Sequence, residues 1–84
     1  MRNPVSWLVV ERGWKVTDRD GGQVGTVEQV LGEQERDIFD GLAVATKLLG
    51  KARYVPAERV AAIYEGLVEL DLSGDEVSRL DDAP

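Results

Sequence analysis

Apolar and polar residues alternate along this chain in short runs broken by glycine or proline, the period-two pattern of half-buried strands. Residues 14–18 place Trp14, Val16 and Asp18 on one face and Lys15 and Thr17 on the other. Residues 23–31 predict a second strand and residues 38–47 a third, in which Leu42, Val44 and Thr46 oppose Ala43, Ala45 and Lys47. Residues 52–56 form a fourth, and residues 60–64 and 67–72 a terminal pair. In that pair Val68, Leu70 and Leu72 alternate with Glu69 and Asp71, the cleanest half-buried strand of the chain. The period then changes. Ser73 with Glu76 three residues later fits a capping box, and Leu72 and Val77 flank it as a hydrophobic staple. A short helix follows, with Val77 and Leu80 facing inward and residues 81–84 expected to fray.

The breaks between strands carry turn chemistry. Asp20-Gly21-Gly22 supplies residues that tolerate positive φ, and Gly50-Lys51 and Glu65-Gly66 sit between later strands. Pro56 turns the chain abruptly ahead of Ala57-Glu58-Arg59. The apolar order Val24, Val27, Val30, Leu31 breaks strict alternation, which predicts a β-bulge or sharp bend near Gly25.

The stretch TDRDGGQVGTV (residues 17–27) invites a reading as a ligand loop. It fails as a calcium loop. Counted from Asp18, the fifth position is Gly22 and the sixth is Gln23, where an EF-hand needs an oxygen ligand and then glycine. It also fails as a phosphate cradle, since its glycines lead into a strand and no P-loop lysine follows. The turn is structural.

Composition narrows the function classes. The chain has 84 residues, room for one small domain across residues 1–84, and contains neither cysteine nor histidine. The usual neutral-pH base and the commonest transition-metal ligands are therefore missing, and no catalytic, metal or cofactor-binding residue is assigned. No enzymatic activity is expected. Acidic and basic side chains balance up to Tyr64, so the whole net charge of −6 lies beyond it. That acidic end argues against nucleic acid as a partner. The N-terminal apolar run is too short for a secretory signal or membrane insertion, and a cytoplasmic location is expected.

Two segments together carry a family likeness. Val16-Thr17-Asp18-Arg19-Asp20-Gly21-Gly22-Gln23-Val24-Gly25-Thr26-Val27 resembles the opening hairpin of the PRC-barrel family, and Tyr54-Val55-Pro56-Ala57-Glu58-Arg59-Val60 resembles its VP-x-x-x-V segment. A glycine-turned hairpin and Leu70-Asp71-Leu72-Ser73 follow in the same order, so the likeness spans roughly residues 12–80. It implies a mainly β fold, a small and strongly bent antiparallel β-barrel with a short C-terminal helix. It also implies a non-catalytic adaptor that binds other proteins. The motif consists of turn and core residues and brings no site residue with it.

Contact candidates come from the residues themselves. Trp7, Leu8, Val9 and Val10 precede the matched region, as an extra strand on the barrel or an apolar arm that buries against a second copy. Arg53 and Tyr54 share a strand, so one of them points outward, and both types are favoured at interface centres. Lys47, Lys51 and Arg53 form a basic cluster suited to an acidic helix of a neighbour. The expected protein self-associates as a homodimer through residues 7–10 or a barrel edge. The alternative is a small-molecule binder with a pocket between sheet and C-terminal helix.

Overall fold

The computed structural model describes residues 3–46 and 51–84. Its strands are β1 (Lys15–Thr17), β2 (Gln23–Glu33), β3 (Ile38–Thr46), β4 (Arg53–Pro56), β5 (Val60–Tyr64) and β6 (Leu67–Leu70), followed by one short helix, α1 (Gly74–Ser78). Single 3-10 turns occupy Trp7–Val9 and Ala57–Arg59. The strands form one sheet in the order β4-β3-β2-β1-β6-β5, which curls into a half-barrel. The mainly β, strongly bent architecture with a short C-terminal helix agrees with the expected fold class.

One pair departs from the all-antiparallel expectation. β1 and β6 run parallel, with Val16 opposite Val68. The chain leaves β1, crosses β2, β3 and β4, and returns through the Ala57–Arg59 turn and the β5–β6 hairpin to the other side of β1. It arrives there in the direction in which it left. Alternation sets which face a residue occupies, not the direction of its neighbour.

The concave side holds the core. Val16, Val27, Leu42, Val44, Val55, Val68, Leu70, Leu72 and Val77 are buried together, with Val10 joining from the N-terminal segment. Bulges shape the curl. Opposite β1 the register slips at Val24, so that Val16 faces Gly25 and Thr17 faces Gln23. Opposite β3 it slips at Glu28, so that Val27 faces Val44 and Gln29 faces Ala43. The expected bend near Gly25 is thus split into two bulges flanking residues 25–27, and Val24, Val27 and Val30 all reach the core.

At α1 the sequence signals are realised in full. The Ser73 hydroxyl accepts from the Glu76 N–H, and the Glu76 carboxylate accepts from the Ser73 N–H at 3.0 Å. These bonds to Ser73 lower the Glu76 pKa below its ordinary 4.5, against partial desolvation, and the Arg19 and Arg59 guanidiniums at 3.7 Å add to the effect. A carboxylate whose pKa is lower in the folded chain contributes stability above its unfolded value, and that contribution is lost as the pH falls through the folded value. Glu76→Gln is therefore expected to flatten part of the acid limb. Between pH 5 and pH 3, about the range where carboxylates titrate, the wild-type melting temperature should fall more steeply than that of the variant. Parallel melting curves would sink the assignment.

Residues 81–84 correct an expectation. They do not fray but lie along β4, where Asp82 forms an antiparallel bridge with Arg53. The end of the expected third strand at Lys47 and the turn at Gly50 lie outside the described residues.

Candidate functional site

The aspartate-glycine loop is a self-satisfied turn. The Asp18 carboxylate accepts from the N–H groups of Asp20 and Gly22, both at 2.9 Å, and the Asp18 N–H donates to the Gly22 carbonyl at 2.8 Å. Arg19 then donates its N–H to the Leu72 carbonyl, tying the turn to the start of α1. Among the described residues no group of three or more acidic side chains is placed to hold a metal ion.

The segment ahead of β1 is a strap rather than an extra strand or a free arm. Val5 donates its N–H to the Ile63 carbonyl on β5, the edge of the sheet. The chain then turns once at Trp7–Val9, where the Ser6 hydroxyl accepts from the Leu8 N–H. The Trp7 indole stacks on Phe39 with ring centroids 5.1 Å apart and donates its N–H to the Asp37 carboxylate at 2.8 Å. Asp37 occupies the left-handed region (φ 51°), which aspartate tolerates better than most residues. The continuously apolar run from Trp7 to Val10 suited either an extra strand or an apolar arm. Phe39 and Asp37, a distant platform for Trp7, outcompete both. Nothing local in the sequence links residues 7 and 39, so this pairing was missed.

Pinning Trp7 and burying Val10 leaves their neighbours outside. Leu8 is 42% exposed and Val9 50% exposed, and with Ile38 they are the large apolar side chains left to solvent among the described residues. Leu8 and Val9 border a hollow of about 540 Å³ lined also by Val5, Val10, Glu11, Trp14 and Glu65.

Arg53 and Tyr54, the other two contact candidates, are committed within the chain. The Tyr54 ring lies across Gly41 on β3, where an added Cβ would sit 2.9 Å from a ring carbon, and its hydroxyl donates to the Asp40 carbonyl at 3.1 Å. Partial burial and then the Asp40 carboxylate raise the phenol pKa. Arg53 Nη1 donates to the Leu80 carbonyl at 3.0 Å and lies 3.4 Å from an Asp82 carboxylate oxygen. Of the basic cluster, Arg53 is thus paired within its own chain, and Lys47 lies outside the described residues. The structure therefore brings Trp7, Leu8, Val9 and Val10 together at one place and Arg53 and Tyr54 together at another.

The region between sheet and helix holds a shallow depression of about 370 Å³, lined by Pro56, Arg59, Leu72, Glu76, Arg79 and Leu80. Arg59 spans it, donating to the Asp71 carbonyl at 2.7 Å and pairing with Glu76. None of the described helices is long and apolar enough to cross a membrane.

Comparison with known families decides the lineage. The model of DUF2171, described as "Uncharacterized protein conserved in bacteria", matches residues 10–78. The chain belongs to the DUF2171 family. No curated protein matches it. The likeness to PRC-barrels is overturned by this match, because the family model that fits is DUF2171 and no PRC-barrel model does. The reason is physical. An aspartate-glycine turn between alternating strands, and a valine-proline step out of a strand, answer the geometric needs of a bent hairpin in any lineage. The match also begins at Val10, so Trp7, Leu8 and Val9 lie ahead of the region that defines DUF2171.

Proposed function

We propose that this DUF2171 protein is a non-catalytic protein-interaction module of the cytoplasm that self-associates through the turn carrying Leu8 and Val9. The observation that carries this reading is the division of labour in the strap. Trp7 and Val10 are spent on holding the turn, while Leu8 and Val9 between them are presented to solvent in a fixed conformation. Apolar groups ordered in advance lose little entropy on association and gain from leaving water. Contiguous exposed apolar surface of this kind marks contact sites. A small domain, with little core of its own, also gains stability from a partner copy. The other route considered from the sequence, pairing of two copies through a barrel edge, would first have to displace residue 5 from β5 or residues 81–83 from β4.

The test is a sedimentation series over a wide concentration range. The wild-type chain should pass from monomer to dimer, and Leu8→Glu combined with Val9→Glu should remain monomeric with the melting temperature that the wild-type chain shows when dilute, since both side chains are exposed. A wild-type chain that stays monomeric at millimolar concentration would refute the proposal. A small-molecule reading is favoured only by the depression around Arg59 and Arg79, and a ligand panel that raises the melting temperature would support it.

A further inference from the structure

The outer edge of β4 raises a separate question, because an edge strand exposes N–H and C=O groups that must be covered. Residues 81–83 cover it. The Tyr54 N–H donates to the Asp81 carbonyl at 2.8 Å, the Ala83 N–H donates to the Ala52 carbonyl at 2.7 Å, and Asp82 sits opposite Arg53. The contact reads two properties of its occupant. Backbone bonds from residues 52 and 54 require an extended chain. Arg53 requires an acid at the position facing it and a carbonyl two residues earlier, here Leu80.

The hold is thin. Asp81, Asp82 and Pro84 are exposed and Ala83 is only half-buried, so the segment contributes almost no core. The ion pair has its aspartate side chain 55% exposed, where such pairs contribute little. The anchor of this part of the chain lies just before it, at buried Val77 and half-buried Leu80. Residues 81–83 thus behave as a tethered occupant whose advantage is local concentration rather than strength of contact.

We propose that the β4 edge is a strand-docking site for an extended acidic segment of a partner protein, and that residues 81–83 occupy it in the partner's absence. The exposed Lys51 beside Arg53 favours a partner with more negative charge than the resident segment offers. Addition of a strand to an exposed edge is a recurring mode of peptide recognition, with backbone bonds supplying affinity and alternate side chains supplying choice. This surface is distinct from the Leu8 and Val9 turn, and the two together give the module two contacts.

Two measurements test the proposal. In the wild-type chain, amide hydrogen exchange at Tyr54 should be at least tenfold faster than at Val55, whose amide points to β3, because the segment opens without unfolding the sheet. Equal protection at the two amides would overturn the proposal. In the second measurement, Asp82→Lys with Ala83→Pro loosens the segment, and the peptide Ser-Arg-Leu-Asp-Asp-Ala-Pro, matching residues 78–84, is titrated while backbone amide signals are followed. The amides of residues 52–54 should shift with an affinity at least tenfold tighter than in the wild-type chain, and a peptide with both aspartates changed to lysine should leave them unmoved. No shift at millimolar peptide in a folded variant overturns the proposal. So does equal binding of the lysine peptide. Shifts that instead follow protein concentration, without peptide, would assign the edge to a second copy and also overturn it. If the variant does not fold, the exchange comparison in the wild-type chain decides alone.

Discussion

Leu42→Ala is expected to remove about 2–5 kcal/mol of folding stability, the largest effect of any single truncation in this chain. Leu42 is fully buried at the middle of β3, between Val30 on β2 and Val55 on β4. Its removal leaves a cavity walled on both sides by hydrogen-bonded strands, which cannot collapse without breaking the ladder. A domain of this length has roughly 4–13 kcal/mol in total, at about 0.05–0.15 kcal/mol per residue. The variant should therefore stand near its unfolding threshold at room temperature. Urea denaturation checks this, with a fall in midpoint at an unchanged slope as the expected result. Ile38→Ala, at a 47% exposed position on the same strand, is the control and should cost no more than about 0.5 kcal/mol. A loss below about 1 kcal/mol at Leu42 would mean that the core does not centre on β3.

Gly25→Ala should come close to that effect despite adding one methyl group. The new Cβ would overlap the Ala45 carbonyl oxygen and lie 3.1 Å from a Val44 methyl, so β2 and β3 must part at the bend of the sheet. Overpacking of this sort costs about 1–3 kcal/mol, and occasionally more where backbone has to move. Here the obstacle is backbone of the partner strand, which places the expectation at the upper end. Gly66→Ala separates crowding from conformation. Gly66 has φ 79° with nothing within 4 Å of an added Cβ, so its cost is conformational only, about 1–2 kcal/mol. Denaturation midpoints should rank Gly25→Ala as the more damaging. The reverse order would show that the two strands can move apart at little cost.

These positions also show what was legible. Val68, Leu70 and Leu72 read as one buried face from spacing alone, and they are buried. Ser73 and Glu76 read as a helix start, and the reciprocal bonds are there. Asp20-Gly21-Gly22 read as a turn, and Asp18 closes it. Each of these signals is completed within a few residues. The strap is different, because Trp7 finds Phe39 and Asp37 some thirty residues away and the segment becomes a turn instead of an extra strand or an apolar arm. Residues 81–84 look like a polar end in sequence, and only the position of the β4 edge gives them a place. The contact candidates divide on the same line. Residues 7–10 were legible as an apolar group, but which of them face solvent depends on where Phe39 lies. Arg53 and Tyr54 were legible as interface types, but the nearby Leu80 carbonyl and the bare backbone of Gly41 occupy them.

The inward alternation, the chain reversals and the helix cap could be read along the chain, since each depends on neighbours a few residues apart. Tertiary contacts set the parallel β1–β6 pair, the splitting of the expected bend near Gly25 into two bulges, the strap over β5 and the segment on β4. Those features arise from contacts between distant parts of the chain, where packing and backbone hydrogen bonding outweigh local preference and leave no periodic trace.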